Sequence, residues 1–197
     1  MPSNVSAFAV FFASIFTSNI LLTNYLGMCS FLAVSKEMKT SLGLGAAVTF
    51  VLAVTTPLNW LVYHYLLIPF NLEYLRFIVF IIVIAAFVQL TEIALERYSE
   101  PLYQSLGIFL PLITVNCAIL GASLFMVIRE YTFVTSLLFG LGSGIGWLLA
   151  IVAMSGIRTK LRTANIPPAL EGPGISLIIA GFMAMAFMGF SGMIAVS

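Results

Sequence analysis

Two cysteines, Cys29 and Cys117, are the only thiols in this 197-residue chain, and each lies in an apolar run interrupted by polar or helix-breaking residues. The second run, Leu106 to Ala122 (LGIFLPLITVNCAILGA), carries Pro111, Thr114 and Asn116 ahead of its cysteine. Proline removes a backbone donor and clashes with the preceding turn, so a helix is predicted to break or kink there. The first, Leu22 to Lys36 (LTNYLGMCSFLAVSK), repeats the Leu-Gly pair and holds Asn24 and Gly27 just before Cys29. Thiolates are soft ligands that suit iron–sulfur clusters, zinc or copper(I). Two of them fill half of a four-cysteine site, so a metal here requires a second polypeptide, or a second copy of this one. The plainer role is packing, since a buried free cysteine behaves as a small hydrophobe. The residues alone leave both open.

Glu92 is the other group that could do chemistry. It follows Gln89 by three positions, on the same helical face, inside an apolar stretch. A carboxylate within a membrane span is costly and is a functional candidate by default; at the interface it is an ordinary solvated charge. His64 stands between two tyrosines, Tyr63 and Tyr65, where an interfacial anchor is the expected role. No phosphate-cradling loop in a strand–helix context, no paired-histidine zinc motif and no nucleophile triad is present.

The elements that must hold these residues are membrane spans. The chain is 61% hydrophobic and 8% charged, with no aspartate and a net charge of +1, which excludes a soluble domain and gives no basis for nucleic-acid binding. Its mean hydropathy is +1.14. The first apolar run starts at Val5 with no basic residue before it, so a cleaved signal peptide is not expected. Six spans of roughly 20 residues can be drawn. They run over about 5–34, 41–67, 77–95, a fourth ending near Ile128, 133–157 and 175–196. The first is too long for one crossing and is predicted to unwind near Cys29; the fourth is broken by Pro111.

The expected fold class is therefore an all-α membrane protein, one integral domain over 1–197. Gly43-Leu44-Gly45 opens the second span as Gly140-Leu141-Gly142 opens the fifth, and the Leu-Gly pairs recur in the first and fourth. The halves, about 5–95 and 101–196, thus read as two three-helix repeats. An odd number of spans per copy makes them inverted, with a broken helix in spans 1 and 4. The loops after spans one, three and five hold Lys36, Lys39, Arg97, Arg158, Lys160 and Arg162, against Arg76 and Arg129 on the opposite side. The positive-inside rule makes the first set cytoplasmic and both termini periplasmic. Gly140/Gly144 and Gly142/Gly146 have the spacing that lets helices approach closely, within the chain or between subunits.

The segments Leu26–Gly45 (LGMCSFLAVSKEMKTSLGLG) and Leu106–Ala122, with GLGSGIGW at Gly140–Trp147, Ile166-Pro167-Pro168 and the Met/Gly-rich last span, closely resemble one family of membrane proteins. It comprises the D- and E-type subunits of the bacterial Na+-translocating NADH:quinone oxidoreductase and the A- and E-type subunits of the Rnf ferredoxin:NAD oxidoreductase. The likeness is strongest to the E-type member of the quinone reductase and covers essentially the whole chain. Rnf counterparts typically read Cys-Pro-Phe-Leu-Gly at the first motif; Cys29-Ser30-Phe31-Leu32-Ala33 favours the quinone-reductase branch.

The resemblance implies a pseudo-symmetric pair with the paralogous D-type subunit, of opposite topology, sharing an intramembrane [2Fe–2S] cluster. Each member would supply two cysteines, here Cys29 and Cys117. It implies a complex with the A-, B-, C- and F-type subunits as well, in the bacterial inner membrane. That complex would pass electrons from NADH through FAD, iron–sulfur, FMN and riboflavin centres to ubiquinone, coupled to Na+ export. NADH, the flavins and the quinone would bind elsewhere in the complex. Glu92 is then a candidate for the cation path. An Rnf-type subunit and a small inverted-repeat transporter with purely packing cysteines are the alternatives.

Overall fold

The computed structural model describes residues 7–98, 110–162, 164 and 172–190, and all regular structure among them is helical. Helix α1 (Ala7–Ile15) is followed by a non-helical stretch and the short α2 (Met28–Val34). Helix α3 (Met38–Val62) continues through a π-helical turn at Tyr63–Leu67, and a 3₁₀ turn at Glu73–Leu75 leads into α4 (Arg76–Tyr98). The second half contains α5 (Leu110–Thr114), α6 (Cys117–Ile128), α7 (Phe133–Leu161) and α8 (Pro173–Met188).

Four stretches among the described residues are long and apolar enough to cross a membrane: Met38–Leu67, Glu73–Ala94, Pro111–Ile128 and Phe133–Leu161. The first expected span is instead two helices of nine and seven residues, neither able to cross alone. Helix α8 is a shorter apolar helix of 16 residues, and the end of the sixth expected span lies outside the described residues. Arg158 and Lys160, expected in a loop, lie on the last turns of α7, because the apolar helix simply continues into its basic end. Of the expected connector after the third span, Glu96 and Arg97 belong to α4.

The core is the crossing of α3 and α7, with α1 laid along α7. Two glycine pairs on α7 decide this packing. A Cβ at Gly144 would lie 2.7 Å from Thr49 Cα, and one at Gly140 would lie 2.7 Å from the Leu52 carbonyl oxygen, so this face admits α3. Rising numbers on α3 meet falling numbers on α7, so the two helices are antiparallel. Gly142 and Gly146 face α1: a Cβ at Gly142 would meet the Phe11 carbonyl oxygen at 2.7 Å, and one at Gly146 the Ile15 carbonyl oxygen at 3.0 Å. Both spacings are spent on the chain's own helices, which gain dispersion contact where lipid offers no hydrophobic drive.

Polar ties fix the two ends. At one end the Arg158 guanidinium donates to the Leu32 carbonyl (2.9 Å) and to Ser35 Oγ (2.7 Å), joining α7 to the last turn of α2. At the other, Trp60 Nε1 donates to the Tyr131 carbonyl at 2.8 Å, and Asn59 Nδ2 donates to Ser123 Oγ at 2.8 Å. Helix α8 packs on α2 and α7, while α4 packs on α5 and α6. The other face of α4, with Ile78, Ile82, Leu90 and Ile93, is exposed. For a spanning helix that face is open to lipid or another subunit.

Candidate functional site

Asn19 ends α1. Fully buried, it donates through Nδ2 to the carbonyls of Ile15 (3.0 Å) and Gly146 (2.9 Å). Its Oδ1 accepts the N–H groups of Leu21 (3.1 Å) and Leu22 (3.3 Å). One side chain thereby serves the backbone groups that the broken helix would leave unpaired in a water-free interior. The chain then turns through exposed Thr23, Asn24 and Tyr25, the last at φ 56°, and reaches Gly27 at φ 85°. A left-handed residue with walls this close must be glycine. A Cβ there would stand 2.7 Å from Trp147 Nε1, 3.1 Å from Asn116 Oδ1 and 3.2 Å from Ala118 Cβ.

The second break is made by Asn116. It adopts extended backbone (φ −75°, ψ 112°), and its Oδ1 accepts the Ala118 N–H at 3.0 Å, capping α6. Its Nδ2 donates across to Ser30 Oγ on α2 at 3.4 Å. Pro111 sits in the first turn of α5 as described, where a missing N–H is tolerated. Among the described residues the helix is interrupted at Val115–Asn116, where the asparagine caps α6, while the chain ahead of Leu110, where a break at the proline would fall, lies outside the described residues. Likewise the first unwound stretch ends at Gly27, and Cys29 lies in the first turn of α2 beyond it.

The two breaks meet. The Gly27 N–H donates to Cys117 Sγ at 2.9 Å, so the unwound backbone of one half touches the thiol of the other. Cys29 follows Gly27 by two residues and is exposed, while Cys117 is half-buried. Trp147, fully buried against Gly27, keeps an indole N–H with no partner among the described residues. No group of three or more His, Cys, Asp or Glu side chains that could hold a metal exists among the described residues. What the structure brings together is the Cys117 thiol and the backbone two residues ahead of Cys29.

The other candidates lie elsewhere. Glu92 is half-buried on α4, and Gln89 Nε2 donates to its Oε2 at 3.2 Å. His64 is exposed and stacks on Trp60 at 4.7 Å between ring centroids, in keeping with an anchor. Asn24 is exposed and Thr114 is half-buried, while Asn116 caps the second break. Sequence reasoning placed Gly27 in the first break without seeing its contacts. It gave Trp147 no role; a tryptophan directly after a run of spaced glycines in an apolar helix was the available signal.

A family model described as "Rnf-Nqr subunit, membrane protein" matches residues 7–194. The chain is 53% identical over 194 residues to the E subunit of the Na(+)-translocating NADH-quinone reductase of Psychromonas ingrahamii, covering 93% of this chain and 96% of that relative. With a single match running through both breaks and both cysteines, the chain belongs to the Rnf-Nqr family of membrane subunits.

Proposed function

We propose that this protein is the E-type membrane subunit of a Na+-translocating NADH:quinone reductase, and that it relays electrons through a [2Fe–2S] cluster shared with a paralogous subunit. The observation that carries the proposal is the hydrogen bond from Gly27 N–H to Cys117 Sγ where the two breaks face each other. A donor aimed at sulfur suits a metal-bound thiolate, whose potential depends on such contacts and on burial. The donor set fits half a cluster: two thiols from adjoining breaks, no third ligand among the described residues, and one thiol open to the surface. Packing does not account for Cys29, whose exposure leaves it nothing to fill.

Cys29 and Cys117 would hold the cluster, which supplies one-electron storage when bound. Asn116 and Asn19 would fix the two backbones that carry the sulfurs, and Trp147, Leu26 and Ala118 would keep water from the inner one. Packing also supports two inverted repeats of about 5–95 and 101–196: the third helix of each half lies on the broken segment of the other, α4 on α5–α6 and α8 on α2. In this reading both termini face the periplasm, electrons reach ubiquinone through flavins held by other subunits, and Glu92 assists Na+ movement.

The test is iron and acid-labile sulfide analysis, with electron paramagnetic resonance, on the purified complex carrying Cys29→Ala or Cys117→Ala. Each substitution is expected to abolish one [2Fe–2S] signal and its iron. Unchanged iron and spectra in both variants would overturn the relay and leave the cysteines without a redox role.

A further inference from the structure

We infer that the basic end of the molecule holds a binding site for a phosphate-bearing anion, and that its occupant is the headgroup of an anionic phospholipid. The site is a cavity with two joined lobes of about 190 Å³ and 390 Å³, which share Lys36, Arg158, Gly172 and Ser176. The smaller lobe adds Arg162, so three cations converge, and no carboxylate among the described residues lines either lobe. The larger lobe runs along α2 past Leu32 and Ala33 to Cys29, and its walls are mostly apolar. One end is therefore built for negative charge and the other for hydrocarbon, the two-part chemistry of a lipid rather than of free phosphate.

The surroundings favour an anion from outside the chain. The nearby Glu37 carboxylate accepts the Thr40 hydroxyl at 3.3 Å through Oε2. Arg158 is held in place by its bonds to Leu32 and Ser35, a fixed charge in the wall rather than a swinging one. The cavity also faces the first turn of the 16-residue α8, where Pro173 lacks an N–H and Gly174 and Ile175 present theirs without helical partners. Basic pockets between membrane helices at a membrane face are where anionic headgroups bind. The headgroup end does not include Cys29, so the inference about it does not depend on the cluster.

The experiment uses the intact complex in mild detergent, titrated separately with phosphatidylglycerol, phosphatidylcholine and inorganic phosphate, with bound molecules counted by native mass spectrometry. The Lys36→Gln/Arg162→Gln complex is expected to bind one phosphatidylglycerol fewer than the unmodified complex. Half-saturation of that site should shift roughly thirtyfold, and phosphatidylcholine should not distinguish the two. Arg162→Gln alone, an exposed position, should shift it roughly fivefold and guards against misassembly of the double variant. Inorganic phosphate filling the same site at similar concentration would keep the anion site and assign it a soluble source. Equal lipid counts in all variants would overturn the inference, as would loss of the same lipid in Lys39→Gln, a cation outside the cavity. The cluster signal, read in parallel, should be unchanged by every one of these substitutions, so failure here is separable from failure of the relay.

Discussion

Replacing Gly27 by alanine tests the meeting of the two breaks directly. The residue sits at φ 85°, a conformation that costs an L-residue about 1–2 kcal/mol. The new methyl would stand 2.7 Å from Trp147 Nε1 and 3.1 Å from Asn116 Oδ1. Trp147 and Asn116 are both buried, one packed under the break and the other bonded to Ala118 and Ser30, so neither can step aside freely. Overpacking of this kind costs about 1–3 kcal/mol. The two effects together predict a loss of about 2–5 kcal/mol, along with a weakened bond to Cys117. Gly181, on α8 with open space around its Cα, is the control, because alanine there meets nothing within 4 Å. Thermal unfolding of the complex should show a clear fall for Gly27→Ala and little change for Gly181→Ala. The midpoint potential of the cluster should move in the first variant only. If the two variants melted together and shared one potential, the breaks would not be in contact as described.

Three further outcomes follow from the same contacts. Asn19→Ala should cost about 2–5 kcal/mol by thermal unfolding, since it strands the Gly146 carbonyl and the Leu21 and Leu22 N–H groups at about 1–3 kcal/mol per unpaired group, partly relaxed. Gly144→Ala should destabilise by about 1–3 kcal/mol, because its methyl meets Thr49 backbone that cannot rotate away, whereas a contact between subunits would lower oligomer recovery without changing the melting of the chain. Glu92→Gln should raise the Na+ concentration for half-maximal turnover about tenfold, the equivalent of about 1.4 kcal/mol of lost attraction, and an unchanged Na+ dependence would remove Glu92 from the cation path.

The fold was legible where physics acts through long apolar runs. Helices α3, α4 and α7 start and stop within a few residues of the expected spans, apart from the basic end of α7. The breaks were legible as regions but not as causes. Among the described residues the interruption falls at Asn116, which no sequence pattern singled out as a cap, because capping depends on what an amide side chain reaches and not on its neighbours in sequence. Cys29 and Cys117 could be singled out by type, and their halves suspected of facing each other. The contact that joins them runs through the Gly27 backbone N–H, which has no sequence signal beyond a glycine. The glycine spacings on α7 were ambiguous for the same reason. Only the positions of Thr49, Leu52 and Phe11 decide that they serve the chain's own packing.

Each break is specified by an asparagine that works twice. Asn19 and Asn116 both spend the side-chain oxygen on a backbone N–H two residues ahead, at Leu21 and Ala118. Both also send the amide nitrogen into the opposite half, to the Gly146 carbonyl and to Ser30 Oγ. The two asparagines are not at matching positions of the repeated segments, so the likeness is one of physical solution rather than of copied sequence. Its consequence is mutual dependence. The Gly27 N–H of the first unwound stretch finds its sulfur partner only when the other half is in place, and in a bilayer an unserved group is too costly to persist. The Cys117 segment and the unwound backbone ahead of Cys29 are therefore positioned against each other by assembly of the halves, which is the condition that the shared-cluster proposal requires.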